Sequence, residues 1–130
     1  MIKQSLRLHP ILDTPIARWL AVAAWMALIF ALSAQSRLPS PDDPWIDFLF
    51  KKAAHFTVYG VLAFLFWRAL PPGRLIYLWA WALSTLYACT DELHQSLTPL
   101  RHPSPWDVVI DACGAATALL ILWQLKRRTT

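Results

Sequence analysis

Four stretches of the chain carry no charged side chain and are mostly apolar: Trp19 to Ser36, Ala53 to Trp67, Leu75 to Thr90 and Ala112 to Leu125. Each falls somewhat short of the roughly 20 helical residues that cross a hydrocarbon core, so each must draw length from its flanks. The flanks carry helix-start signals. Thr14 precedes Pro15, Asp43 precedes Pro44 and Ser104 precedes Pro105, each a capping oxygen ahead of a proline suited to the first helical position. Asp107 stands three residues after Ser104, where a capping-box acid would sit. Pro71, Pro72 and Gly73 break the chain between the second and third stretches. The pattern predicts helices over about 15–36, 44–70, 74–95 and 105–126. Lys3 and Arg7 ahead of an apolar run ending in small residues also outline a secretory signal peptide. The length of that run and the three spans after it favour a retained helix.

Composition narrows the class. Of 130 residues, 57% are hydrophobic and 15% charged, against about 25% charged in an ordinary soluble chain, so the polar surface of a soluble enzyme is lacking. Three glycines, ten prolines and eight tryptophans exclude collagen-like, flexible and disordered chains. The net charge of +4 comes from bases standing beside apolar runs, which reads as membrane anchoring and not as nucleic-acid binding. Cys89 and Cys113 lie inside apolar stretches without metal or disulfide spacing and read as small packing residues. Trp19, Trp45, Trp67 and Trp106, near span ends, read as interface anchors; Trp25, Trp79, Trp81 and Trp123 read as packing or lipid-facing. The expected fold is an all-α membrane protein. It is one domain over 1–130, with four transmembrane helices in an antiparallel bundle and a polar pocket at the outer end.

Charge asymmetry sets the orientation. Lys3, Arg7, Arg18, Arg68, Arg74, Lys126, Arg127 and Arg128 fall on one side of four alternating helices, and Arg37, Lys51, Lys52 and Arg101 on the other. The positive-inside tendency then puts both termini in the cytoplasm. Acids run the opposite way: Asp13 is inside, while Asp42, Asp43, Asp47, Asp91, Glu92, Asp107 and Asp111 are outside. Counting inward at 1.5 Å per residue sets His55 roughly 10 Å and Asp111 roughly 7 Å below the outer boundary, with Asp91, Glu92 and Ser33 only a few ångströms in. Ionisable groups at such depth usually face a bundle interior or a watery cavity. Lys52, His55 and Tyr59 share one face of the second helix, Asp91 or Glu92 shares a face with Gln95 on the third, and Asp107, Asp111 and Gly114 share a face of the fourth. Glycine there would let a neighbouring helix approach closely. The bland reading keeps Asp91, Glu92 and Asp107 as solvating helix ends, Lys52 as a snorkelling side chain and His55 as an interhelical hydrogen-bonding group.

The same residues carry a resemblance. Leu32-Ser33-Ala34-Gln35-Ser36, Lys52-Ala53-Ala54-His55-Phe56 with Tyr59, Asp91-Glu92-Leu93-His94-Gln95, and Arg101 with Asp107 and Gly114 together resemble the VanZ-like family from about residue 19 to 122. The family pattern often has Ser at position 34 and Asn at position 111, where this chain has Ala34 and Asp111. The resemblance implies a four-helix protein of the bacterial cytoplasmic membrane and cell envelope. The family's founding member is associated with low-level teicoplanin resistance, and lipid head-group or phosphoryl-transfer chemistry has been proposed for the family.

The residue types fit such chemistry. Lys52 and Arg101 would meet an anionic head group, arginine through a bidentate fork. His55 would act as general base or nucleophile, oriented by Asp91 or Glu92, and one of the paired acids would protonate the leaving group. Asp107 and Asp111 would complete the catalytic set, with Tyr59, Gln95, Ser33 and Gln35 beside Lys52 and Arg101 as substrate-binding residues. A nucleophilic Ser33 or Ser36 paired with His55 is a lesser variant. No HExxH-type spacing fixes a metal, although Glu92, Asp107 and Asp111 could share a divalent ion that the sequence does not require. His9 and His102 read as solvated. The partner expected is a membrane lipid or lipid-linked cell-wall intermediate, with no nucleic acid and an oligomeric state left open. A non-enzymatic protein presenting the same pocket to a cell-wall lipid or glycopeptide is the second reading. A proton-coupled carrier is third, because no polar path continues to Arg68 or Arg74.

Overall fold

Prolines open three of the four helices. In the computed structural model, which describes residues 10–36 and 38–130, a 3-10 turn over Pro10–Asp13 leads into α1 (Pro15–Ser33), α2 (Pro44–Ala69), α3 (Ile76–Ser96) and α4 (Pro105–Arg128). Lys3, Arg7, His9 and Arg37, used above in reading orientation and solvated positions, lie outside the described residues. Thr14 accepts from the Ala17 amide, Asp43 from those of Trp45 and Ile46, and Ser104 from that of Trp106, so each cap satisfies amides that the first turn leaves orphaned. α2 stops at Ala69 because Leu70 precedes Pro71 and takes the extended backbone that this position favours. α3 starts at Ile76, two residues later than the sequence pattern suggests, on a tight turn in which the Ile76 amide donates to the Gly73 carbonyl. α1 ends at Ser33 instead of continuing to 36.

α1, α2 and α4 are each long and apolar enough to cross a membrane. α3 has 21 residues, and its last turns carry Thr90, Asp91, Glu92, His94, Gln95 and Ser96. No strand occurs among the described residues. Small side chains share the interior with a few large ones: Ala63, Ala80, Ala88 and Ala115 are wholly buried beside Tyr59, Leu62 and Phe66, while many other leucines, phenylalanines and tryptophans face outward. That distribution suits helices whose solvent is lipid, where close backbone approach and interhelical hydrogen bonds hold the packing together. Trp25 donates to the Val58 carbonyl, Ser84 to that of Tyr59, Tyr87 to that of Met26 and Trp81 to that of Ala112, each bond joining two helices.

Three readings need correction. Cys89 and Cys113 are exposed, because they fall on the outward faces of α3 and α4 and the interior positions go to alanine and glycine. Asp107 does not serve as a capping-box acid; its carboxylate turns to Lys52 of α2. Arg18 and Arg68 are not plain anchors, since Asp13 accepts from both nitrogens of a fork on Arg18 and lies 3.6 Å from Arg68, whose guanidinium also donates to the Leu12 carbonyl. This ties the 3-10 turn to the start of α1 and the end of α2.

Candidate functional site

The site begins with a backbone contact between α2 and α4. A β-carbon added at Gly114 would collide with the Phe56 carbonyl and lie 2.9 Å from its Cα, and one added at Gly60 would lie 3.2 Å from the Gly114 carbonyl oxygen. Glycine therefore lets the two helices touch, and the side chains on either side of the contact pair up. On the N-terminal side of the contact in both helices, the Lys52 ammonium donates to Asp107, and Nδ1 of His55 lies 3.0 Å from Oδ1 of Asp111. On the C-terminal side, the Lys126 ammonium sits 4.1 Å above the Trp67 ring. α2 and α4 thus run side by side in the same sense.

A second cluster joins α1, α2 and α3 around Asp91. Its carboxylate accepts from the Ser33 hydroxyl, from Tyr59 at 3.0 Å and from Gln95 at 3.2 Å, and Gln95 also donates to Ser33 at 3.3 Å. All four side chains are buried. A buried carboxylate requires such donors, because leaving it unpaired would cost several kcal/mol, roughly the penalty for a desolvated charge.

Glu92 completes the layer from behind. Its Oε2 accepts from the Ser104 amide at 2.9 Å. In a capping box that amide is bonded by the acid three residues on, which here is Asp107. Glu92 of α3 takes over that task, and Asp107 is thereby free to hold Lys52. Glu92 lies within electrostatic reach of His55, Asp107 and Asp111. Its Oε1 and the Oδ2 of Asp111 are buried without a hydrogen-bond partner among the described residues.

Two openings meet this layer. A recess of about 120 Å³ lies between α1 and α2 and reaches Ser33, Tyr59, Asp91 and Gln95. A wider cleft of about 640 Å³ is bordered by Lys51, Lys52, Asp107, His102 and Leu100. Leu38, Ser40, Lys51, His55, Gln95 and Arg101 line both. Glu92 and Asp111 line neither; Asp111 reaches them through His55, and Glu92 holds the start of α4 through the Ser104 amide. Asp111 is 1% exposed.

The sequence-selected residues therefore separate into groups. Lys52, His55, Asp107 and Asp111 form the α2–α4 pairs; Ser33, Tyr59, Asp91 and Gln95 form the α1–α2–α3 cluster. Arg101 does not stand free as a fork: its Nε donates to the Gln35 carbonyl and one terminal nitrogen to that of Leu32, both at 2.9 Å. It caps the C-terminal end of α1, where a cation also complements the helix dipole. Gln35 takes part through that carbonyl, and the residue itself is exposed. No group of three or more His, Cys, Asp and Glu side chains stands close enough to hold a metal among the described residues, so Glu92, Asp107 and Asp111 do not form the shared ion site. His94 stacks on Phe30, with ring centroids 4.2 Å apart.

Sequence reasoning missed Phe50, Ala54 and Val58, which line the recess. Their spacing of four puts them on one face of α2, so helical periodicity applied to apolar residues near His55 could have found them. Asp47, paired with Lys51 at 2.7 Å, also borders the cleft.

Comparison with known proteins gives one match of family rank: residues 16–127 match the VanZ/LLP1 family. No curated protein and no solved structure matches the chain.

Proposed function

This chain belongs to the VanZ/LLP1 family, and from that membership together with the buried polar layer we propose that it acts on the head group of a membrane lipid at the outer face of the bacterial cytoplasmic membrane. One observation carries the reading: His55, backed by the fully buried Asp111, stands where an apolar recess meets a charged cleft. A lipid has that same division into tail and head.

The topology belongs to the proposal. We read four spans as an antiparallel bundle with both termini in the cytoplasm. Contacts supporting opposed neighbours are Arg18 on the Arg68 carbonyl and Trp25 on that of Val58 for α1 and α2. Tyr59 with Asp91 and Trp67 with Tyr77 do the same for α2 and α3, as do Glu92 with Ser104 and Trp81 with Ala112 for α3 and α4. The excess of bases at the inner end orients the bundle.

In the proposed mechanism Asp111, when ionised, can only accept, so it holds the Nδ1 proton of His55 and leaves Nε2 with its lone pair toward the openings. Nε2 then takes a proton from water or an alcohol as that oxygen attacks a phosphorus or ester carbon, and the imidazolium returns the proton to the oxygen that leaves as the original P–O or C–O bond breaks, a general acid–base role worth about 10²–10⁴ in rate. Lys52, held by Asp107 at the cleft wall, offers positive charge to an anionic head group. An altered outer-leaflet head group would change the surface that teicoplanin meets, which links this reading to the resistance associated with the family.

The alternative, a pocket that binds a cell-wall lipid or glycopeptide without turnover, has its own support: Lys52 and Arg101 are both engaged inside the chain. Purified protein in vesicles of phosphatidylglycerol, phosphatidylethanolamine and polyprenyl phosphate, followed by mass spectrometry of the lipids, separates the two. New head-group products support the enzyme; saturable binding with unchanged lipids supports the binding protein.

A further inference from the structure

The recess between α1 and α2 has a chemistry that the polar layer does not use. Phe50, Ala54 and Val58 form one stripe of α2, and Ile29 and Leu32 of α1 form the other wall. Its inner end is closed where Trp25 donates to the Val58 carbonyl at 3.0 Å. Outward, Leu38, Pro39 and Ser40 of the α1–α2 connection join its lining. α1 ends at Ser33, whereas α2 extends from His55 back to Pro44, and at the lips Phe50 and Leu32 are 55% and 38% exposed. Among the polar side chains along the recess, Ser33, Tyr59, Asp91 and Gln95 bond one another, while Lys51, His55 and Arg101 are held by Asp47, Asp111 and the end of α1, so none of these requires an occupant.

We infer that this recess receives the head-proximal part of one acyl chain of an anionic bilayer lipid, which enters sideways between α1 and α2. The inference rests on the lipid head-group reading and narrows its substrate class to an intact amphiphile. Size supports the division of labour. At about 120 Å³ the recess is too small for a head group, while the adjoining cleft, at about 640 Å³, lies within the range of ordinary ligand sites. The two are continuous through His55, Gln95 and Arg101. Charge supports the sign of the head: Lys51, Lys52 and Arg101 border the cleft against Asp47 and Asp107. Apolar lips open to hydrocarbon let the chain reach the recess without crossing water, and each methylene that leaves lipid for the recess is replaced by another, so selectivity resides in the head and reach in the tail.

Photo-crosslinking tests this with phosphatidylglycerol bearing a diazirine at the ester end of one acyl chain, present as the minor component of phosphatidylcholine vesicles holding the full chain. Adducts should concentrate on Ile29, Leu32, Phe50, Ala54 or Val58 over outward positions such as Leu86 and Ile121. Ala54→Phe, which fills the recess, should remove most of them, because the ring takes the space the chain would enter. Leu32→Trp, at an exposed lip, provides a second obstruction that leaves the core alone, and the map on the unaltered chain needs no variant. Uniform labelling of lipid-facing residues would overturn the recess. Equal labelling by a phosphatidylcholine probe would overturn the anionic head, and displacement by polyprenyl phosphate the acyl chain. Recess labelling without any change in the lipid would sink the head-group chemistry while sparing this inference; turnover with uniform labelling would do the reverse.

Discussion

Gly114 of α4 lies directly against the backbone of Phe56 of α2, where a β-carbon would come within 2.9 Å of the Phe56 Cα. The partner atom is main chain and cannot rotate away. Gly114→Ala should therefore push α2 and α4 apart, destabilising the protein by about 1–3 kcal/mol, as overpacking does. It should also separate Lys52 from Asp107 and His55 from Asp111. Thermal unfolding in detergent, measured beside His55→Asn as a control of similar depth, checks this: a Gly114→Ala protein as stable as the unaltered chain would mean that the helices are not in contact.

Asp111 acts on the openings only through His55, so its role is to position the ring. Holding the Nδ1 proton needs a group 3.0 Å away that can only accept; asparagine can turn a donor to the ring and so does not fix the tautomer. Asp111→Asn and Asp111→Leu should therefore both lose roughly tenfold or more in activity. Activity of Asp111→Asn equal to that of the unaltered chain would show that an acceptor alone is enough and that neither the charge nor the tautomer matters.

How far the sequence led depends on the kind of interaction. Pro15, Pro44 and Pro105 with their capping residues are local signals, and they sit where the helices begin. The faces that carry Lys52, His55 and Tyr59, or Asp107, Asp111 and Gly114, follow from helical periodicity, so a shared layer was legible. Which partners meet was not. Asp91 joins Ser33 and Tyr59 while Asp111 joins His55, a choice set by helix rotation and offset that a one-dimensional pattern does not contain. Likewise Arg101 reaches carbonyls of Leu32 and Gln35, more than sixty residues away, and no motif announces a cap supplied from so far along the chain. The exposed Cys89 and Cys113 show the inversion that lipid imposes, because an apolar residue in a membrane helix has no reason to be inside.

Arg101 braces the end of α1 with two charge-assisted hydrogen bonds. Arg101→Lys offers one nitrogen where the guanidinium offers two in a fixed fork, and Arg101→Ala offers none. The alanine variant should lose about 1.5–3 kcal/mol of local stability, the worth of a hydrogen bond to a charged group. Hydrogen exchange at the amides of α1's last turn should rise in the order Arg, Lys, Ala. Unchanged protection in both variants would return Arg101 to the list of residues free to bind a head group.

The orientation is open to direct labelling because Cys89 and Cys113 are exposed and can be replaced by serine without opening a core. Gly73 has nothing within 4 Å of the place a β-carbon would take, so Gly73→Cys is sterically free, and Asp42 is exposed in the first loop. In whole cells a membrane-impermeant maleimide should label Asp42→Cys and spare Gly73→Cys. The opposite pattern would put the His55 site in the cytoplasm.

The account turns on His55 as the group that moves the proton. The most direct measurement compares the rate of lipid head-group change in vesicles for the unaltered chain and for His55→Asn, at equal protein in the membrane. The rate should fall by about 10²–10⁴, with insertion and thermal stability retained because asparagine still bonds Asp111. A His55→Asn protein that turns over the lipid at the original rate would contradict the account.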